Sequence, residues 1–491
     1  MKAERPRRIS ALKALMSGPE RRSEKILGSP GKWIRPSAIF LFCVAMAISS
    51  SAQTFTSLIS FEGWNGIFPE TILQGMDGDL WGTTANGGPS NCGTVFRMTT
   101  AGVLTTVFTF ACTNGNEPTG LLQGTDGNFY GTTFFGGASN GGTVFRLTPS
   151  GKQTVLFNFI AGGSEGSGPL GNLAQGTDGN FYGAAYSGGS TFGYGTLFKI
   201  TPTGILSTLY TFDFTHGAQP YAGPVTGTDG NFYGTTYSGG ANGSGTVYKI
   251  TPGGTLTVLH SFGGNASEGD FPISSLVQGK DGNLYGTTPD GGSNNDGTVF
   301  EITPGGTFTS LHSFAETDGR SPGGAVVQAT DGNFYGGTAY GGANDIDGTL
   351  FKMTAAGVVT TLHNFNGTDG ADPFPLVQDT SGILFGTTGG GGDLNCQPSY
   401  GCGTVFSLEM GLRPFVKTLP ALGKVGTKVT ILGTNLTGST SVSFNGTAAA
   451  FTVVSSSKIT TTVPTGATTG TVEVVTPKKT LKSNMAFHVT R

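Results

Sequence analysis

Charge is scarce in this 491-residue chain: 12% of its residues are charged, while 10% are aromatic. A disordered chain has the reverse balance, because it needs charge and few aromatics to stay unfolded. The formal net charge is −3, so there is no basic field to hold a nucleic acid. Histidine occurs five times and tryptophan three times, which leaves little material for a catalytic base or a sugar-stacking platform. There is no His-Glu-x-x-His and no phosphate loop, and the reactions those motifs announce are set aside with them. The residue in excess is glycine, with 85 copies, about 17% against the usual ~7%. It follows no Gly-X-Y period, so collagen is excluded.

The few basic residues gather at the front. Residues 1–52 carry a net charge of +7 and the remainder −10. The basic stretch ends at Lys32 and Arg35, and an apolar run from Ala38 to Ile48 and the small residues Ser49-Ser50-Ser51-Ala52 follow. That order describes a secretory leader with cleavage expected after Ala52. The apolar run is about half of the ~20 residues that span a bilayer, so no membrane span is expected after cleavage. The protein is expected to be secreted or extracytoplasmic, in the periplasm or at the cell surface.

Four cysteines remain behind the leader: Cys92, Cys112, Cys396 and Cys402. An even number in an exported chain reads as disulfides. Three pairings are possible; Cys92 with Cys112 and Cys396 with Cys402 are expected, because each pair lies within one short stretch. No histidine accompanies either pair at ligand spacing, so neither a metal site nor a cofactor is expected.

The organisation of the chain is set by a repeat. The string Asp-Gly-Asn-Phe-Tyr-Gly-Thr-Thr and its variants place an Asp at 77, 126, 178, 229, 281 and 331, with Ser381 in the seventh place. A period near 50 residues indicates a solenoid or a propeller. In the fifth copy, Leu276–Gln278, Leu284–Thr288, Gly297–Thr303 and Thr307–Phe314 read as four strands. Asp-Gly and Pro-Gly turns join the first to the second and the third to the fourth. The seventh copy supplies three strands and departs from the pattern at Met410, while Thr54–Phe61 matches a fourth strand. The expected fold is an all-β seven-bladed propeller over residues 53–410, closed by that N-terminal strand, which would remove two free sheet edges.

These units, with the pattern DGNFYG…GG…GTVF in all seven, resemble the Gloeo/Verruco (GloVer) tandem repeat of exported bacterial proteins over residues 54–408. The resemblance implies export and surface or secreted roles, and no particular reaction.

From Arg413 onward Thr, Val and Ser dominate. Short β-like runs at Thr427–Leu432, Ser441–Phe444, Ala448–Val453, Lys458–Val463, Thr471–Val475 and Met485–Thr490 predict a small sandwich over residues 413–491. Gly423, Gly426 to Ile431, Gly433-Thr434-Asn435 and Val463-Pro464 resemble an IPT/TIG immunoglobulin-like domain. Such modules act as spacers or interaction domains.

Candidate site residues are few. The repeated Asp opens each turn, where its side chain can bond the backbone two residues on, so its regularity answers to the fold. Gln74, Gln123, Gln175, Gln278, Gln328 and Gln378 recur on the first strand, with Thr226 in the fourth copy. Channel-lining amides there would bind a polar ligand such as a glycan, or would bond the next blade. His260, His312 and His363 occupy a position filled elsewhere by Ile59, Phe108, Phe157 and Tyr210, which reads as packing. No catalytic residues are assigned, and no non-repeating carboxylate or Arg cluster is visible at one rim. The expectation is a monomeric, non-catalytic binding or scaffold protein with a protein or glycan partner, its recognition surface on the loops that vary between copies. A polysaccharide-active lyase or hydrolase is the alternative.

Overall fold

The computed structural model describes residues 53–343, 345–397 and 400–490, so the expected leader lies outside the described residues. The described chain is all β, and none of its segments is a helix long and apolar enough to cross a membrane. Between residues 54 and 409 it forms six four-stranded antiparallel sheets and one five-stranded sheet, one per repeat. In the fifth repeat the strands are Val277–Gln278, Leu284–Thr288, Thr298–Ile302 and Phe308–Ser313, within about a residue of the sequence expectation. The N-terminal strand Thr54–Ser60 pairs antiparallel with Thr404–Glu409, so the first strand of the chain completes the seventh sheet.

The repeat motif has a packing reason at each position. The aromatic after Phe or Leu on the second strand is buried and meets the next repeat: Trp81–Phe129 at 4.2 Å, Tyr130–Phe181 at 3.9 Å, Tyr182–Phe232 at 3.9 Å and Tyr285–Phe334 at 4.2 Å between centroids. The glycine that follows is required by close approach: a Cβ at Gly131 would overlap the ring of Phe145. The second Thr of Gly-Thr-Thr shares a hydrogen bond with the Thr of Gly-Thr-Val on the neighbouring strand, as in Thr84 with Thr94 and Thr288 with Thr298, both 2.8 Å. The hydroxyls of these buried pairs thus find partners in each other.

Seven apolar clusters lie between successive repeats. One joins Phe385 and Val405 of the seventh repeat to Leu80 and Phe96 of the first, around the buried Phe61. The Cys92–Cys112 and Cys396–Cys402 disulfides are both present.

Residues 417–489 form a separate sandwich. One sheet runs Lys417–Leu419, Lys428–Leu432, Lys458–Thr462, Phe451–Val453, and the other Thr447–Ala449, Ser441–Phe444, Val472–Val475, Thr480–Lys482. Val429, Ile431, Val442, Phe444, Ile459, Val472 and Val474 fill its core. The run Ala448–Val453, expected as one strand, divides at Ala450: its first half pairs with Ser441–Phe444 and its second with Lys458–Thr462. Alternation reports which side chains point inward, and it does not say when a chain changes sheets.

Candidate functional site

Each of the six glutamines is engaged between repeats. The amide oxygen of Gln123 accepts from Met76 N–H at 2.7 Å, and that of Gln175 from Thr125 N–H at 3.0 Å. Gln278, Gln328 and Gln378 accept from Thr228, Lys280 and Thr330 N–H at 2.9, 2.8 and 3.1 Å. Gln74 accepts from Thr380 N–H at 3.0 Å, which links the seventh repeat to the first. The amide nitrogen of each donates to the carbonyl of its own turn, for example Gln123 to Gly127 at 2.9 Å. The fourth repeat carries Thr226 in place of the amide, and its hydroxyl reaches Gln175 O at 3.4 Å.

The turn carboxylates close their own loops. Asp229 accepts from Asn231 N–H at 3.1 Å, Asn231 Nδ2 at 2.7 Å and Tyr233 OH at 2.8 Å, with Lys249 Nζ at 2.9 Å. Burial raises its carboxyl, but these donors outweigh that and hold it at about 2. Tyr233 moves the other way, pushed up to about 12 by burial and by Asp229. In the seventh repeat Asp379, not Ser381, accepts the turn N–H groups, from Ser381, Gly382 and Ile383. His312 and His363 pair with Asp318 and Asp369 at 3.0 and 2.9 Å, and His363 stacks on Phe55 at 3.7 Å. Among the described residues no group of three or more His, Cys, Asp or Glu is arranged to hold a metal ion.

At the opposite end of the strands the repeats stop agreeing. At the start of the first strand or ahead of it, Phe68, Glu117, Gln219, Phe271, Ser321 and Asp372 all adopt left-handed backbone with φ between 55° and 57°. Such a conformation costs a non-glycine residue about 1–3 kcal/mol. A shared backbone bond explains it. The N–H of each reaches the loop of the preceding repeat, from Gln219 to Tyr194 O at 2.7 Å and from Phe68 to Cys402 O at 3.0 Å. The fold therefore fixes the backbone at this position and leaves the side chain free to vary.

What varies is organised. The position after Gly-Thr-Thr, within one residue of the end of the second strand, holds Ala85, Phe134, Tyr186, Tyr237, Pro289, Ala339 and Gly389 in the seven copies. Across repeats two to five the aromatics form a continuous row: Phe134–Tyr186 6.1 Å, Tyr186–Tyr221 5.2 Å, Tyr221–Tyr237 5.1 Å and Tyr237–Phe271 5.2 Å between centroids. Phe134 and Tyr221 within the row are buried, with Leu170 and Ile273 in the same cluster, and Phe135, Tyr186 and Tyr237 stay partly open. Gln219 Nε2 donates to Tyr186 OH at 2.9 Å and orients that hydroxyl.

Repeats five to seven present charge at the same end. Asp270 and Asp290 are bridged through their backbones at 2.9 Å. Burial, then the neighbouring Asp270, raises the Asp290 carboxyl above its ordinary value. Asp270 Oδ1 is buried with no hydrogen-bond partner among the described residues. The Arg320 guanidinium lies 5.4 Å from the Tyr340 ring centroid. Tyr400 is raised strongly by burial and by Asp372, to which it donates. A row of ring faces beside carboxylates and a guanidinium can hold a ligand with apolar faces and hydroxyl edges.

No such cluster was visible in the sequence, and its absence there is corrected by the structure. The signal that could have found it is the residue pair after Gly-Thr-Thr, the part of that string that fails to repeat.

A family model described as the Gloeobacter/Verrucomicrobia repeat matches residues 43–192 and 169–406, and an IPT/TIG domain model matches residues 415–489. No curated protein matches the chain. Among solved structures, one described as the extracellular domain of a hybrid two-component system from B. thetaiotaomicron is 11% identical, covers 78% of this chain and 46% of its own, and has a TM-score of 0.49. A second extracellular domain of that kind from the same organism is 13% identical over 85% of this chain and 52% of its own, at a TM-score of 0.46. The PQQ-bound aldose sugar dehydrogenase of Streptomyces coelicolor is 16% identical over 60% and 93%, at 0.40. This chain thus spans about half of the first two, and likenesses of this size say nothing about activity.

Proposed function

The chain belongs to the Gloeobacter/Verrucomicrobia repeat family and carries an IPT/TIG domain, and from that premise we propose an exported, non-catalytic recognition protein. Residues 53–410 form a closed seven-bladed propeller in this reading. The pairing of Thr54–Ser60 with Thr404–Glu409 and the Thr380-to-Gln74 bond support it. Residues 413–491 serve as spacer and cap. Two disulfides favour an extracytoplasmic address, because they persist in oxidising compartments. The six glutamines are inter-blade fasteners in this reading, since both ends of each amide are used.

The observation that carries the function is the break in symmetry at one end: an aromatic row on repeats two to five facing carboxylates and Arg320 on repeats five to seven. The turn-end residues recur from copy to copy and these do not, so the packing that the copies share does not account for gathering them there. The ligand that fits is a glycan, with sugar faces on the aromatics and hydroxyls on Asp290, Asp372 and Gln219. A glycan array probed with the exported chain should return bound sugars, and Tyr186→Ala or Tyr237→Ala should weaken them about tenfold or more. Binding that survives both changes, or no bound sugar at all, contradicts the proposal.

One observation favours the alternative. A raised carboxyl at Asp290 beside Asp270 is the environment of a general acid. Turnover of a polysaccharide that is lost in Asp290→Asn would replace recognition with catalysis.

A further inference from the structure

The sandwich rests on the turn end of the repeats, opposite the aromatic row. Phe415 N–H donates to Thr380 O at 3.1 Å, Asn484 Nδ2 to Gln328 O at 3.1 Å, and Ser457 Oγ to Met76 O at 3.5 Å. These bonds fall on repeats one, six and seven. Against repeats two to seven a cavity of about 1650 Å³ remains between the two folds.

Its charge is one-sided. The sandwich lines it with Lys417, Lys424, Lys428 and Lys458, and the sole lining carboxylate is Asp126. Asp126 is already occupied by Asn128 and Tyr130. No ion pair joins Lys417, Lys424 or Lys428 to a carboxylate among the described residues. Lys417 is exposed to the cavity, and the protein around it lowers its ammonium below the usual lysine value. A cation set into a protein-walled space without a counter-charge is unfavourable until an anion joins it.

We propose that this cavity is a second binding site, for an acidic oligosaccharide. The space exceeds the ~300–1,000 Å³ of a small-molecule pocket, so a chain of several units suits it better than a lone anion. Lysines are separate point charges, which match carboxylates or sulfates spaced along a polymer. Threonine hydroxyls at 430, 460 and 462 supply partners for sugar hydroxyls. The site lies at the opposite end from the recognition mouth, so either can fail alone.

The test is calorimetric titration of the exported chain with oligogalacturonate, with a sulfated oligosaccharide and with a neutral oligosaccharide of equal length. At least one acidic ligand should bind, the neutral one should not, and added salt should weaken the complex. Which of the two acidic ligands binds tells carboxylate from sulfate. Lys417→Met and Lys428→Met should each weaken binding roughly tenfold, while Lys478→Met on the exposed sandwich surface should not. Tyr186→Ala should leave it intact. Four outcomes would overturn the proposal: equal binding of the neutral sugar, indifference to Lys417 and Lys428, loss through Tyr186→Ala, or binding of polyglutamate in place of both acidic sugars.

Discussion

The same strands end in Asp-Gly-Asn turns on one side and in loops of unlike sequence on the other, and the two ends are held by different groups. At the turn end the side chains do the fastening: Asp229 gathers Asn231, Tyr233 and Lys249, and Gln123 spans to Met76. At the loop end backbone does it, through the N–H groups of residues such as Gln219 and Asp372. Where side chains carry the bonds, their identity is fixed copy after copy. Where backbone carries them, side chains can diverge without loosening the structure, and there the aromatic row and the carboxylates collect.

The comparison assumes that the repeats form one closed unit, and removing residues 53–61 breaks that assumption most directly. Thr404–Glu409 would lose one of its two partner strands and Phe61 would leave a core in which it is fully buried. Phe61 alone, changed to Ala, is expected to cost about 3–5 kcal/mol. The full deletion should cost more, seen as a large fall in the unfolding temperature.

Gln74→Leu sharpens the claim that turn-end side chains are fasteners. It leaves the buried N–H of Thr380 without its acceptor, a cost of about 1–3 kcal/mol by denaturant unfolding. Ligand binding at the loop end should not change.

Asp229 at the turn end and Asp290 at the loop end should also titrate with opposite sign. Asp229 is held at about 2, below its unfolded value, so the stability it adds is present above pH ~4 and is lost as pH falls toward 2. Asp229→Asn should flatten that acid limb of the unfolding temperature. Asp290 is raised, so its folded form favours the proton, and the stability tied to it is present below pH ~4 and lost as pH rises through its folded value. Asp290→Asn should raise the unfolding temperature slightly at neutral pH and leave it unchanged at pH ~3.

Much of the turn end was legible in advance, because each of its bonds repeats the same residues at the same spacing. Asp-Gly-Asn announced its own hairpin, and the N-terminal strand announced its place by matching Thr307–Phe314. The loop end was not legible, since divergence between copies looks the same whether it is neutral or organised. Only the fold brings Tyr186 beside Tyr221, and Asp290 beside Asp270. The histidines were assigned to packing, which their ring stacking supports, but Asp318 and Asp369 lie six residues on and were not foreseen as partners. Nothing in the sequence singles out Lys417, because its strand is three residues long and its setting comes from another part of the chain.

The division between the two ends is tested most directly by paired assays on two variants. One carries Tyr186→Ala with Tyr237→Ala at the loop end; the other carries Asp331→Asn at the turn end, where Asp331 holds Asn333 and Tyr335 at 2.7 and 2.9 Å. Each is followed by thermal unfolding and by binding to the glycan selected by the unaltered chain. The expected result crosses over: the loop-end variant loses binding and unfolds near the parent temperature, and the turn-end variant binds as the parent does and unfolds earlier. Binding that persists in the loop-end variant, or that falls equally in both, would contradict the account.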